Sequence, residues 1–144
     1  WPLAEPEGLA GQPWLEGSPP GRHVFGAYFG DRYYYVLTAR AEMLPASSSV
    51  VGSLDVSVLH RHLIEPATAQ LGSRALITYV TDAQRAAIAV AQGEYDCALF
   101  LRATRVSDVL AVARADERMP GKSTYFYPKV PAGLVASDAS LEPI

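Results

Sequence analysis

The patterned part of the chain opens with two runs of β-branched and aromatic residues. Residues 22–29 and 32–38 are such runs, and the pair Gly30-Asp31 lies between them. Two β-rich runs joined by a Gly-Asp pair are typical of a hairpin with a two-residue turn. The pattern therefore predicts an N-terminal β-hairpin.

Tyrosines give this hairpin an aromatic stripe. Successive strand residues point to opposite faces, so Tyr34 lies on the face opposite Tyr33 and Tyr35. One face must pack on the domain. The other face is either buried as well or exposed to a partner, and the sequence leaves both arrangements open.

A helix is predicted after a serine-rich loop. Ser53 is a candidate N-cap, and Asp55 lies in the first turn, where the helix dipole favours an acidic side chain. Pro66 is expected to close the helix. The apolar residues at helical spacing are Val56, Leu59 and Leu63.

Strands and helices then alternate. Residues 74–80 have the length and the β-branching of a strand. A capping box of Thr81 and Gln84 begins a helix that ends at Gly93, because glycine suits the left-handed position after a helix. Residues 96–101 form a second apolar strand. Strand, helix and strand in succession predict a βαβ crossover.

The last predicted helix begins at Thr104 or Ser107, and closing strands follow at residues 124–129 and 133–136. The apolar face of this helix is made of Val106, Val109, Leu110 and Ala113. Together the elements predict an α/β (α+β) fold with a mixed β-sheet, an N-terminal β-hairpin and about three packed helices.

Proline and glycine are concentrated before the patterned region. Residues 2–21 have neither a helical nor a strand period, which is typical of a linker or an excised boundary. We therefore predict that residues 1–21 are such a segment and that residues 22–144 form a single α/β domain. A chain of 144 residues is long enough to bury a core of its own.

Composition narrows the classes of partner. A net charge of −3 gives no general attraction to nucleic acid or to anionic membranes. No run approaches the roughly 18 apolar residues that span a bilayer, so we expect a cytoplasmic protein.

Cys97 is the single cysteine, so no internal disulfide can form. Its apolar setting predicts a buried, unreactive thiol.

One segment near the C-terminus, residues 119–129, combines basic, hydroxyl and aromatic side chains. Gly121-Lys122-Ser123 matches the end of a P-loop, but that pattern needs an earlier glycine where this chain has Asp116. A Walker-type ATPase is therefore not expected. The donors that remain for a phosphate or carboxylate ligand are Lys122, Ser123, Thr124 and Lys129. The alternative is a surface turn that enters a strand whose aromatic residues pack on the core.

Other clusters of polar residues predict no site. His60 and His62 are two apart on the predicted helix and point to different faces, so no metal site is expected. No Ser-His-Asp or Cys-His set has a local signature, although such sets assemble across a chain. The sequence holds no complete active site that we recognise, and whether the protein is an enzyme stays open.

Three segments resemble one known family. Residues 53–60, residues 95–102 and above all Met119-Pro-Gly-Lys-Ser-Thr-Tyr-Phe-Tyr-Pro-Lys129, followed by Gly133-Leu-Val, resemble the C-terminal half of the bacterial family named domain of unknown function 1015. The match covers about residues 22–135. The family usually has a second proline where this chain has Gly121, which makes the turn more flexible but leaves the lysine and hydroxyl residues in place.

The resemblance implies a role in a longer protein. The upstream half of family members is similar to the ParB and sulfiredoxin superfamily, which includes serine kinases, and its Asp-Gly-His-His-Arg motif suggests nucleotide or phosphate handling. That motif is absent here. The resemblance therefore implies a domain that is non-catalytic alone and supplies a wall of a phosphate or nucleotide site, the upstream half of the same protein being its partner. The alternative is an interaction or dimerisation module without a ligand. No cofactor can be named.

Overall fold

The centre of the fold is an antiparallel sheet. The computed structural model describes residues 22–44 and 49–125. Strands β1 (Val24–Tyr28), β2 (Tyr34–Thr38) and β3 (Ala98–Phe100) pair in the order β2-β1-β3, both pairs antiparallel. The α+β class and the N-terminal hairpin are confirmed. Among the described strands no parallel pair occurs, so the predicted βαβ crossover is wrong.

Helices accompany the sheet, as predicted. The first helical stretch, residues 55–71, is called the long helix here; it consists of α1 (Asp55–Leu59), a π-helical turn (His60–Ile64) and α2 (Glu65–Leu71). Two further helices are α3 (Ala83–Ala91) and α4 (Val106–Arg114). Short 3-10 turns lie at Ala41–Met43, Val51–Ser53 and Gly72–Arg74. Within the described residues no helix is long and apolar enough to cross a membrane.

Strand β1 is buried on both faces. All five of its residues are buried, as expected for a central strand covered on both sides. On one face Tyr28, Tyr34 and Phe100 pack with Ala87 and Val90 of α3. On the other face Phe25 packs with Val58 and Leu59 of α1. The sheet is therefore covered by a different helix on each side.

The hairpin loop is longer than predicted. The strands end at the pair Tyr28 and Tyr34, so residues 29–33 form the loop and the predicted two-residue turn is wrong. The carboxylate of Asp31 accepts hydrogen bonds from the Tyr33 amide at 3.1 Å and the Tyr35 hydroxyl at 2.6 Å. These hydrogen bonds stabilise the conformation of the loop. They also lower the pKa of Asp31, chiefly through the bond from Tyr35.

Two predicted boundaries of the long helix are wrong. The N-cap is Leu54, and no side chain caps this end. Pro66 does not close the helix, which continues to Leu71. Proline removes one backbone donor from a helix and its ring crowds the preceding turn. Here the π-helical turn His60–Ile64 lies directly before it and changes the hydrogen-bond pattern of the helix at that point.

The segment 75–80, predicted as part of a strand, has no regular structure. Leu76 is 75% exposed, so the apolar residues here are not buried in the sheet. Two side chains of the segment make contacts: Thr78 Oγ1 lies 2.9 Å from Tyr95 Oη, and the Tyr79 ring lies against that of His60. Apolar and β-branched composition is thus not sufficient for a strand without an edge to pair with.

The helix ends are partly as predicted. Asp82, rather than Thr81, caps α3 and accepts from the amides of Gln84 and Arg85. Gly93 has a φ of +76°, and the Gly93 and Glu94 amides donate to the Val90 and Ala89 carbonyls. This is a Schellman motif, so the predicted C-terminal glycine is confirmed.

Two predictions of burial are wrong. In α4 the buried residue is Val112, whereas Val106 and Leu110 are 68% and 49% exposed. These two residues of the predicted apolar face are therefore exposed to solvent. Cys97 precedes β3 and is exposed, not buried. Surrounding protein atoms nevertheless raise the pKa of its thiol, and the Asp96 charge adds to this, so the reactive thiolate is disfavoured.

Asp55 joins the long helix to one end of the sheet, where the start of β1 lies beside the end of β3. Its Oδ1 lies 2.8 Å from His23 Nδ1, and its Oδ2 accepts from Arg102 Nε and Nη2 at 3.0 and 2.8 Å. Arg102 Nη2 also donates to the Arg22 carbonyl at 3.0 Å. All three side chains are mostly shielded, at 12% to 20% exposure. A two-bond arginine–carboxylate contact of this kind is geometrically specific.

Replacing Asp55 by alanine is expected to destabilise the fold by about 1–3 kcal/mol, because Arg102 and His23 lose their partner while remaining partly buried. Urea unfolding followed by circular dichroism measures the change. The control is Asp96→Ala, an exposed carboxylate, which is expected to stay within about 0.5 kcal/mol of the parent. Equal stability of the two variants would contradict the role of the cluster.

Candidate functional site

A groove lies between the long helix, the segment 75–80 and the turn at residues 120–123. Its volume is about 410 Å³, which is within the usual range for small-ligand sites. The polar and aromatic residues that line it come from two segments distant in sequence, and the turn adds Pro120 and Gly121. These lining residues include His60, Arg61, Glu65, Tyr79, Pro120 and Gly121.

The helix supplies an imidazole, a cation and a carboxylate. His60 and Arg61 belong to the π-helical turn, and Glu65 begins α2 four residues after Arg61. Residues four apart lie on one side of a helix, which explains why both line the groove. Val58 and Leu59 pack on the sheet, so this part of the helix is fixed from behind. π-Helical turns are frequent at functional sites.

Two rings lie against each other at the wall of the groove. The His60 and Tyr79 rings are stacked, with centroids 6.3 Å apart and planes at 8°. Tyr79 Oη is 3.4 Å from His60 Nε2, which is long for a hydrogen bond. Tyr79 is 50% exposed, whereas His60 is partly buried. The tyrosine ring is therefore supported on one side and open on another.

The turn at residues 120–123 is held by its own hydrogen bonds. The Ser123 amide and hydroxyl both donate to the Pro120 carbonyl, at 3.3 and 2.6 Å. The hydroxyl of Thr104 donates to the Ser123 carbonyl at 2.7 Å and fixes the turn to the chain after β3. Lys122 has a φ of +61°, in the left-handed region that lysine rarely occupies.

Lys122, Ser123 and Thr124, the predicted ligand residues in the described part of the chain, do not line the groove themselves. Gly121 lines it, and Lys122 follows directly with an exposed side chain. Ser123 and Thr124 are partly buried, and the Ser123 hydroxyl proton is already donated within the turn. Lys129 and the predicted strand at residues 133–136 lie outside the described residues, as do residues 1–21.

Arg61, Glu65 and Tyr79 line the groove, although the sequence did not predict them as site residues. A cation and a carboxylate four residues apart on a helix is a visible pattern, but it is common on solvated faces. Tyr79 was assigned to a strand and so to the core. The side chain of His62 is partly buried, and in the described part of the chain its Nε2 has no hydrogen-bond partner. Over those same residues no group of three or more histidine, cysteine or acidic side chains could hold a metal ion.

Glu117 connects residues 49–51, which precede the long helix, to the chain after α4. Its carboxylate accepts from the Ser49 hydroxyl at 2.8 Å and from the Val50 and Val51 amides at 3.0 and 2.9 Å. Bonds to a charged carboxylate favour the ionised form, and they lower the pKa of Glu117, the Val51 amide contributing most. The carboxylate therefore links the segment before the long helix to the chain after α4.

The site defined by these residues is an open, polar groove with Tyr79 in its wall. Arg61 lines the groove, and Lys122 directly follows Gly121 of its lining. Compared with known proteins, the chain matches no family model, no curated protein and no solved structure. The resemblance of residues 119–129 to the domain of unknown function 1015 family stays a prediction.

Glu117→Gln is expected to make the free energy of unfolding depend less on pH under acidic conditions. The ordinary glutamate pKa is 4.5, and the folded value is lower, so the charged carboxylate stabilises the fold above that pH. This contribution is lost as the pH falls through the folded pKa. Urea midpoints measured between about pH 6 and pH 3 should fall less in the variant than in the parent.

The matched control is Glu94→Gln, which removes an exposed carboxylate from the loop after α3. It is expected to keep the pH profile of the parent. A Glu117→Gln profile that also matches the parent at every pH would show that the three hydrogen bonds do not stabilise the carboxylate in solution.

Proposed function

We propose that this domain forms one wall of a binding site for a phosphorylated or nucleotide ligand and is non-catalytic by itself. The rest of the site comes from the upstream half of a longer, kinase-like protein, as the resemblance implies. The observation that carries the proposal is the position of Arg61 and of the turn before Lys122 on one groove. Two cations beside a concave surface are the usual means of binding phosphate.

The charge state of the groove supports this function. Arg102 is already paired with Asp55, whereas in the described part of the chain the side chains of Arg61 and Lys122 make no hydrogen bond or ion pair. An unpaired cation at a concave surface gains more from an anionic ligand than one already neutralised. Arg61 offers paired donors and Lys122 a point charge.

The backbone of the turn also supports it. A lysine in the left-handed region costs about 1 kcal/mol relative to glycine, and such residues cluster at binding and active sites. Glycine would occupy the position without strain. The presence of lysine at a φ of +61° favours a use for its side chain over a purely structural turn.

Lys122→Gly is expected to weaken binding of pyrophosphate about tenfold, because it removes one cation at the groove while keeping the turn unstrained. Arg61→Ala is expected to have an effect of similar size. Titration calorimetry at low ionic strength measures both, since salt screens exposed charges. Lys122→Arg, which keeps the charge, should retain most of the affinity.

The control is Arg85→Ala on α3, which removes the same charge away from the groove and is expected to bind as the parent does. Pyrophosphate binding that is undetectable in the parent, or that all variants share equally, would overturn the proposed function.

A second candidate function, an interaction or dimerisation surface, is favoured by one observation. Phe29, Tyr33 and Tyr35 are 54%, 51% and 40% exposed at the hairpin loop, and the Phe29 and Tyr35 rings meet edge to face at 5.5 Å. Of the two open arrangements of the aromatic stripe, the exposed one is therefore found. Exposed aromatic residues are enriched where proteins bind each other.

If this surface joins two copies of the chain, light scattering should give twice the monomer mass, and the double variant Phe29→Ser with Tyr33→Ser should return a monomer. Both side chains are exposed, so the fold itself is expected to tolerate the change. Val106→Ser, an exposed apolar residue outside the hairpin, is the control. A parent that is monomeric at high concentration excludes dimerisation through this surface.

A further inference from the structure

We propose that the exposed face of Tyr79, supported by His60, is a stacking site for the base of a nucleotide whose phosphates lie toward Arg61 and Lys122. The inference rests on the proposed function and specifies its ligand class, since a phosphorylated metabolite without a ring has no use for a stacking face. The juxtaposition that carries it is the Tyr79 ring beside His60 and the Arg61 cation on one groove, with Lys122 directly after Gly121 of the groove lining.

The ring geometry fits a stacking platform. A base stacks on a flat side chain that is held in position and open on one face. Tyr79 is half exposed, and its partner His60 is parallel to within 8° and partly buried. The segment 75–80 has no regular structure, and the Tyr79 ring contacts His60.

The carboxylate of Glu65 is also part of the groove lining. It repels phosphate, and in the described part of the chain no cation pairs with it. Carboxylates are the groups that accept hydrogen bonds from ribose hydroxyls in nucleotide sites. In a nucleotide, the base therefore matches Tyr79, the sugar diol matches Glu65, and the phosphates match Arg61.

The charge of the chain favours a free nucleotide over nucleic acid. The chain carries a net charge of −3, whereas nucleic-acid sites present a basic stripe along which several phosphates bind. The groove volume of about 410 Å³ is in the range of single-ligand sites. One aromatic ring matches the base of a single nucleotide, and two cations match its phosphates.

The test compares ADP, pyrophosphate and adenosine as probes of the intact chain by titration calorimetry. ADP is expected to bind about tenfold more tightly than pyrophosphate, the increment typical of one stacked base. Tyr79→Leu should reduce ADP affinity to that of pyrophosphate and leave pyrophosphate affinity unchanged. Tyr79→Phe should keep ADP binding, because it keeps the ring.

Tyr33→Leu, which removes an equally exposed tyrosine from the hairpin, is the matched control and should bind all three probes as the parent does. If pyrophosphate binds and depends on Lys122 but ADP binds no better, the stacking site is wrong and the phosphate site stands. If neither pyrophosphate nor ADP binds, both proposals fail. ADP binding that Tyr79→Leu leaves unchanged also overturns the stacking site.

Discussion

The burial of β1 on both faces is the constraint on which the rest of the structure depends. A strand whose five residues are all buried cannot leave either face to water, so each face needs its own apolar cover. Helix α3 covers the face of Tyr28, and α1 covers the face of Phe25. The position of the long helix, and of every polar residue on its outer side, follows from this packing.

Apolar packing sets the distance of the long helix from the sheet, and polar contacts fix its direction. Asp55 joins the start of the helix to the residues that precede β1 and follow β3 at one end of the sheet, and Glu117 holds the 3-10 turn that leads into the helix. Hydrogen bonds to a carboxylate are directional, whereas burial is not. The same helix also lines the groove, through Val56, Ser57, His60, Arg61 and Glu65, so these contacts help to hold one wall of the groove in place.

The sequence predicted what local chemistry determines. The hairpin, the apolar strand before residue 101 and the glycine that ends α3 are each specified by neighbouring residues, and each is found. It failed where tertiary contacts decide. Residues 75–80 have strand composition but form no strand. Pro66 is tolerated after a π-helical turn that no local sequence pattern indicates.

The candidate site shows the same division between local and long-range information. Gly121-Lys122-Ser123 stood out because its residues are consecutive and polar beside aromatic ones. Arg61 and Tyr79 did not, because only the folded chain brings a helix, an irregular segment and a turn to one groove. Any one of these segments alone resembles an ordinary surface. Their chemistry becomes specific through proximity, since a cation, a carboxylate and a supported ring act together on a ligand only when they share its surface.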